Sequence, residues 1–238
     1  MTVGLEAAQD VETVALALEE FDTDAAIEEA SARVGGASRR DFLRAAVAGG
    51  SVVAAIFLSP DSARAAPARD VDILNYALTL EYLQASFYTE AERRGALTGP
   101  ARRAARVVGS VERAHVRALK KVLGREAVKR PFFNFRGTTE AQVAFLKTAV
   151  AFEDLAVAAY KGQAARIQSP AVLAAAVSIH SVEARHAAWM RFLVGETPAG
   201  AALDDPKSMS ETLDLVASTG FIASTPATGS NADPQFTG

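Results

Sequence analysis

An internal repeat with an offset of about 71 residues sets the strongest limit on the possible folds of this chain. Residues 110–115 are matched by residues 181–186, and each segment contains a glutamate followed three residues later by a histidine. Another glutamate lies about 30 residues before each of these pairs, Glu81 in the first copy and Glu153 in the second. Leucine, tyrosine and proline positions also recur in both copies. Two copies of a two-helix unit predict a domain of four helices.

Helical periodicity and helix-ending residues divide the region after residue 65 into these four helices. The predicted spans are 70–94, 100–123, 139–167 and 170–195. The short links within each unit make its helices antiparallel. The 14 residues of the 125–138 link can run the length of the bundle, which makes the second and third helices parallel. Residues 66–195 therefore form the predicted bundle, and residues 196–238 form a tail with one short helix at 208–216.

Residues 1–65 predict an acidic extension followed by a secretion signal. Residues 1–37 carry nine acidic side chains and one basic one, Arg33. The pair Arg39 and Arg40 precedes an apolar stretch at 45–58 and an Ala-x-Ala site at 63–65, a pattern typical of a twin-arginine signal. A buried helix or an uncleaved anchor is the alternative interpretation. The signal predicts export by the twin-arginine machinery to the periplasm or the cell exterior, with cleavage near Ala66.

The repeated glutamates and histidines have the spacing of metal ligands. Side chains at positions i and i+3 of a helix lie about 5–6 Å apart on one face, so both can reach one ion. All four glutamates lie on or beside apolar stripes, where an unpaired carboxylate would cost several kcal/mol. Surface ion pairs and satisfied core histidines are the alternative, but they do not explain the symmetry. The candidate metal ligands are Glu81, Glu112, His115, Glu153, Glu183 and His186.

The composition limits the chemistry of such a site. The chain has no cysteine, which excludes disulfides, thiolate zinc sites and a rubredoxin-type iron centre. Carboxylate and imidazole ligands suit iron, manganese or zinc. We expect two metal ions, with iron favoured, manganese second and zinc third. No apolar run reaches the roughly 18 residues typical of a membrane-spanning helix.

Two stretches resemble the desiccation-related family of ferritin-like domains. They are DVDILNYALTLEYLQASFY at residues 70–88 and SMSETLDLV at residues 208–216. The resemblance implies an all-α, ferritin-like four-helix bundle with a long crossover between its second and third helices. It also implies a di-iron or di-manganese site with two bridging carboxylates. By this resemblance the bridges are Glu112 and Glu183, the terminal ligands are Glu81 and Glu153, and each ion has one histidine, His115 or His186.

Three functional classes are compatible with this site. The first is a redox enzyme that reacts with O2 or H2O2 as a ferroxidase, a peroxidase or a catalase-like protein. The second is a stress protein that sequesters metal without turnover, and the third is a structural bundle stapled by metal. We favour the redox class, with a role in oxidative or desiccation stress.

Several other features are expected to have ordinary structural roles. The basic stripe on the second helix is interpreted as a solvated face, because export separates it from nucleic acid. Tyr88 and Tyr160 are interpreted as core tyrosines rather than radical carriers. His180 is interpreted as a partly exposed histidine outside the site. A homodimer is left open as the assembly.

Overall fold

The structure, a computed structural model, describes residues 67–223. The predicted acidic extension and signal at 1–65 lie outside the described residues. The described region contains five helices and two short strands. The helices are α1 (Ala68–Arg94), α2 (Gly99–Leu123), α3 (Gln142–Ala164), α4 (Pro170–Leu193) and α5 (Met209–Ser218). The strands are β1 (Phe132–Phe133) and β2 (Ile222–Ala223), and a 3₁₀ turn spans Gly124–Glu126. The predicted all-α helical bundle is confirmed.

Local sequence signals set several helix ends. Gly95 ends α1 in the left-handed conformation, with φ of 69°, which glycine adopts at little cost. Pro170 occupies the first turn of α4, and the Ser169 hydroxyl accepts a hydrogen bond from the N–H of Val172. The start of α5 has a capping box, in which Ser208 and Glu211 satisfy each other's backbone N–H groups.

Hydrogen bonds between helices fix the topology of the bundle. α1 packs mainly on α2, and α3 packs mainly on α4. The Tyr160 hydroxyl reaches Glu81, and the Tyr88 hydroxyl reaches Glu153, so α1 and α3 run antiparallel. The short 95–98 link makes α1 and α2 antiparallel as well. It follows that α2 and α3 are parallel and that the link between them crosses the length of the bundle, as predicted.

The predicted span of the third helix, 139–167, is wrong at both ends, because α3 is Gln142–Ala164. At its start, the Thr139 hydroxyl donates to Glu90 on α1 at 2.7 Å, which holds this residue in a turn. Beyond its end, the N–H groups of Gln168 and Ser169 donate to the buried carboxylate of Asp70 at 2.9 and 2.8 Å. Contacts with α1 therefore replace helical hydrogen bonds at both ends.

The tail packs on the bundle more extensively than a short helix alone would. β1 in the crossover pairs with β2 in the tail in an antiparallel register, Phe132 opposite Ala223. Val216 and Phe221 are buried in the core beside the crossover. This strand pairing was not predicted, because each partner is only two residues long. The tail therefore closes one side of the bundle as far as residue 223.

The buried apolar residues form two clusters, one of which is rich in aromatic side chains. Its five phenylalanines are Phe87, Phe135, Phe145, Phe152 and Phe221. The other cluster is mostly aliphatic, with Leu74, Leu78 and Ile179 among its members. Within residues 67–223, no helix combines the length and the apolar character needed to cross a membrane.

Candidate metal centre

The structure brings the six sequence-predicted residues together in the middle of the bundle. Glu81 lies on α1, Glu112 and His115 on α2, Glu153 on α3, and Glu183 and His186 on α4. All four carboxylates are fully buried, and the two histidines are 2% and 6% exposed. Each side chain reaches the interior because the apolar stripe of its helix turns that face inward. Whether these residues bind metal stays a prediction; their convergence is a property of the structure.

The six side chains form two groups that share two members. His115 Nδ1 lies 3.2 Å from Glu81 Oε2, 3.4 Å from Glu112 Oε2 and 3.0 Å from Glu183 Oε1. His186 Nδ1 lies 2.8 Å from Glu112 Oε1, 3.5 Å from Glu153 Oε2 and 3.7 Å from Glu183 Oε2. Glu112 and Glu183 each direct one oxygen to either group. They are therefore the two carboxylates that both groups share.

The atoms that face the centre of the cluster lie within ion-pair distance of one another, but none of them has a hydrogen-bond partner among the described residues. They are one oxygen each of Glu81 and Glu153, both oxygens of Glu112 and Glu183, and Nδ1 of both histidines. Buried polar atoms without partners are rare in native proteins and costly. Each group supplies four such atoms that lie within 4.8 Å of one another, one nitrogen and three oxygens. The two groups therefore fit two metal ions that share a pair of carboxylates.

Two buried tyrosines complete the site, and their partners cross between the copies of the repeat. The Tyr88 hydroxyl donates to Oε1 of Glu153, and the Tyr160 hydroxyl donates to Oε1 of Glu81 at 2.5 Å. In Glu81 and in Glu153 one oxygen therefore accepts from a tyrosine and the other faces the cluster. Both tyrosines are buried in the core, as the sequence predicts. Their contact with the carboxylates was not predicted, since it joins residues 65 and 79 positions apart.

Burial and mutual repulsion dominate the electrostatics of the cluster. Burial, reinforced by the nearby charges of Glu183 and Glu81, raises the pKa of Glu112 well above its usual range. Burial also raises the pKa of Glu153 to about 7, against the opposing contact with His186. For His186 burial lowers the pKa, but contacts with Glu112, Glu153 and Glu183 outweigh it and bring the pKa to about 12. Nearby positive charge would therefore stabilise the ionised carboxylates, and bound cations would supply it.

Burial and the neighbouring carboxylates also hold both tyrosines in the neutral form. Desolvation, followed by the charge of Glu153, raises the pKa of Tyr88 well above 10. Desolvation, followed by the charge of Glu81, does the same for Tyr160. A neutral phenol is a hydrogen-bond donor, so each hydroxyl keeps its carboxylate oriented across the working pH range.

The remaining residues considered in the sequence lie outside the cluster. His180 is partly buried on α4 and belongs to neither group. Arg102, Arg106 and Arg117 of the α2 stripe are exposed, whereas Arg113 forms an ion pair with Glu92 at 3.0 Å. Asp154, which follows Glu153, turns away from the site and pairs with Arg191 at 2.9 Å.

A helical bundle whose four helices contribute carboxylates and histidines to one buried cluster defines a class of proteins that can hold metal ions in their core. The profile of the ferritin-like domain matches residues 69–196, which is more than half of the chain and includes α1 to α4. The chain belongs to the ferritin-like domain family. A search among curated proteins finds no match.

Proposed function

We propose that this chain is an exported di-iron or di-manganese carboxylate protein that reacts with O2 or H2O2 and protects against oxidative or desiccation stress. One observation carries the proposal: eight buried ligand atoms without hydrogen-bond partners converge in two groups that share Glu112 and Glu183. A merely structural core would leave this many polar atoms unsatisfied at a large cost in free energy. Two divalent ions would satisfy all eight atoms at once.

The charge of the cluster supports the same conclusion. Four buried carboxylates repel one another, and desolvation of each costs several kcal/mol when it has no partner. Two divalent cations carry a charge of +4, which balances four carboxylates and leaves both imidazoles neutral. Neutral imidazole is also the form that binds metals. The site is therefore better matched to two cations than to protonated histidines alone.

Two ions that cycle between the +2 and +3 states would supply two electrons, enough to reduce H2O2 and two protons to two waters, or O2 and two protons to H2O2. The residues of the chain have distinct parts in this chemistry. Glu112 and Glu183 would hold the two positions at a fixed separation. Tyr88 and Tyr160 fix the orientation of the terminal carboxylates. The surrounding apolar residues restrict access by bulk water.

The oxygen-rich ligand set narrows the choice of metal. Carboxylate and imidazole groups suit iron, manganese and zinc, and no thiolate is present in the chain to favour copper(I). We expect iron first, manganese second and zinc third. Iron and manganese support the redox proposal, whereas zinc does not change its oxidation state.

A metal-sequestering or structural stress protein is the second candidate, and the depth of the site favours it. All four carboxylates are fully buried, so the exchange of ions requires an opening of the bundle. A slow exchange of this kind suits the storage of metal or the stabilisation of the helices by a bound ion. The two candidates differ in whether the metal-loaded protein reacts with an oxidant.

Export and localisation are part of the proposal and rest on the sequence. Arg39, Arg40, the apolar stretch and the Ala-x-Ala site support passage through the twin-arginine machinery to the periplasm or the cell exterior. That machinery is the one partner we propose besides the oxidant. Nucleic acid is not a proposed partner, and a homodimer is left open.

The decisive experiment measures metal content and reactivity in the same preparation. Protein purified from its native compartment should contain two iron or manganese ions per chain by mass spectrometry of the metals. The reduced form should be oxidised by O2 or H2O2 in a stopped-flow experiment. Two ions per chain without reaction toward either oxidant would favour the sequestering candidate, and fewer than one ion per chain would refute both.

A further inference from the structure

An apolar cavity of about 20 Å³ lies between the helices, and its lining begins one helical turn from one of the two groups. Its lining includes Ala77 and Leu119, which are one helical turn from Glu81 and His115. Tyr160, the tyrosine that donates to Glu81, also lines it. A cavity of roughly 10–15 Å³ already accommodates one water molecule. This cavity therefore has room for a molecule of one or two heavy atoms, one helical turn from Glu81 and His115.

The corresponding place in the other half of the bundle is filled by aromatic rings. With the repeat offset of 72, Ala159 of the cavity corresponds to Phe87, and Ile73 corresponds to Phe145. Phe87 stacks on Phe145 with ring centroids 5.1 Å apart and meets Phe152 edge-on at 5.0 Å. The cavity therefore results from smaller side chains at repeat positions that carry phenylalanine in the other copy. It gives the Glu81–His115 group a neighbouring space that the Glu153–His186 group has filled with rings.

Two polar side chains that line this cavity, Tyr76 and Gln163, have buried atoms without a hydrogen-bond partner among the described residues, and the amide of Gln163 has two such atoms. Gln163 is 2% exposed, and neither its Nε2 nor its Oε1 has a hydrogen-bond partner among the described residues. The other copy of the repeat has Ala91 at this position, so packing of the repeat does not require an amide here. A buried amide with both atoms unpaired is costly unless a bound molecule accepts from one atom and donates to the other.

The lining also restricts the charge of that molecule. None of the described residues that line the cavity carries a charged side chain. A charged ligand would lose its hydration without compensation, so the ligand is neutral. O2 is neutral and small enough, but it would leave the amide donor and acceptor unsatisfied. H2O2 is neutral, has two heavy atoms, and both donates and accepts hydrogen bonds.

We propose that this cavity is a binding site for H2O2, held by the Gln163 amide beside the Glu81–His115 group. The role of the bound H2O2 as the oxidant rests on the function proposed above, whereas its binding does not. The site makes the two halves of the cluster inequivalent, because the oxidant approaches one metal position and not its repeat equivalent.

Binding can be measured without redox chemistry in protein loaded with Zn²⁺. Titration of the zinc-loaded protein with H2O2 should shift the Gln163 side-chain amide signals in ¹⁵N NMR spectra. The exposed Gln168 on the same side of the bundle provides the internal control, and its amide signals should not move. Ala159→Val partly fills the cavity and should raise the H2O2 concentration needed for half of the full shift at least tenfold. No shift of Gln163 in the wild type would show that the cavity holds only water and would overturn the proposal.

Kinetics of the iron- or manganese-loaded protein test the role of the bound molecule. Gln163→Leu keeps the apolar shape but removes the amide, so it should raise the apparent KM for H2O2 at least tenfold and leave the rate with O2 within about twofold. Gln168→Leu should change neither. If Gln163→Leu slows both oxidants equally at full metal loading, the amide has a structural role and the proposal fails. If H2O2 binds but the wild type reacts with neither oxidant, the cavity assignment stands and the redox function falls.

Discussion

The contacts of Tyr88 and Tyr160 lead to a prediction that treats the two metal positions separately. Tyr88→Phe removes the hydroxyl that donates to Glu153, and Tyr160→Phe removes the one that donates to Glu81. Phenylalanine occupies nearly the same volume, so packing changes little. Each substitution leaves a buried carboxylate oxygen without its donor.

The size of the effect follows from the kind of hydrogen bond that is lost. A hydrogen bond to a charged group contributes roughly 1.5–3 kcal/mol, and the loss of a residue that orients a metal ligand lowers metal affinity about 10–100-fold. These ranges agree, since a tenfold change in affinity corresponds to about 1.4 kcal/mol. Because each tyrosine contacts one terminal glutamate, each variant should weaken one metal position and leave the other near its wild-type affinity.

Competition of the protein with a chelator for Zn²⁺ gives the affinity of each of the two metal positions. NMR spectra then show which affinity belongs to which position. The chain has three histidines, so the ring signals of His115 and His186 can be followed individually. Tyr88→Phe should release the ion beside His186 first, and Tyr160→Phe should release the ion beside His115 first. Tyr82→Phe is a matched control on α1, because its hydroxyl lies 3.5 Å from the carbonyl oxygen of Val128 and outside the cluster.

Either of two outcomes would contradict the assignment of one tyrosine to each metal position. If both variants keep wild-type affinity at both positions while their melting temperatures fall, the hydroxyls stabilise the fold and do not orient ligands. If either variant weakens both positions equally, the two halves are not held independently, and the assignment of one tyrosine to one metal is wrong.

Three further predictions concern the ligands, the metal-free state and export. Metal analysis should find less than one ion per chain in Glu112→Gln and in Glu183→Gln, because each of these residues is a proposed ligand of both positions. It should find about one ion per chain in Glu81→Gln and in Glu153→Gln. Asp72 is exposed and outside both groups, so Asp72→Asn is the control. In the metal-free protein the pKa of Glu153 is raised to about 7 and that of His186 to about 12, so the folded state binds more protons than the unfolded state. Its melting temperature should therefore fall from pH 5 to pH 8. A rise over this range would contradict the raised pKa values of these two buried groups. Mass spectrometry of the exported protein should find a start near Ala66, and an intact 1–65 segment would refute the signal.

The sequence predicted most of the bundle because its strongest signals are local or repeated. Helix-ending glycines and the prolines at 100 and 170 mark boundaries without reference to the rest of the fold. The repeat identified six residues that converge, since a glutamate on an apolar face must either pair or bind an ion. The ends of α3 could not be predicted, because they depend on Asp70 and Glu90, which belong to a different helix.

The contacts of the two tyrosines and the volume of the cavity could not be predicted from the sequence either. Both tyrosines occupy equivalent repeat positions, which was visible, but each bonds to a glutamate of the opposite copy, and only the packing of α1 against α3 reveals this. The cavity depends on the volume that Ala159, Ile73 and their neighbours leave unfilled. No single residue in a sequence specifies such a volume. Gln163, by contrast, could have been noticed as a polar residue where the other copy has alanine.

The two copies of the repeat differ in a way that bears on function. The glutamates, histidines and tyrosines are the same in both, because each atom of the cluster has a counterpart in the other half and a change in one would leave its partners unsatisfied. The apolar positions around them have no such constraint, since phenylalanine and alanine both suit a buried helix face. One half has filled these positions with rings, and the other has left a space one helical turn from its carboxylate–histidine group. The identical residues therefore define what the cluster can bind, and the unlike apolar residues decide from which side a small molecule can reach it.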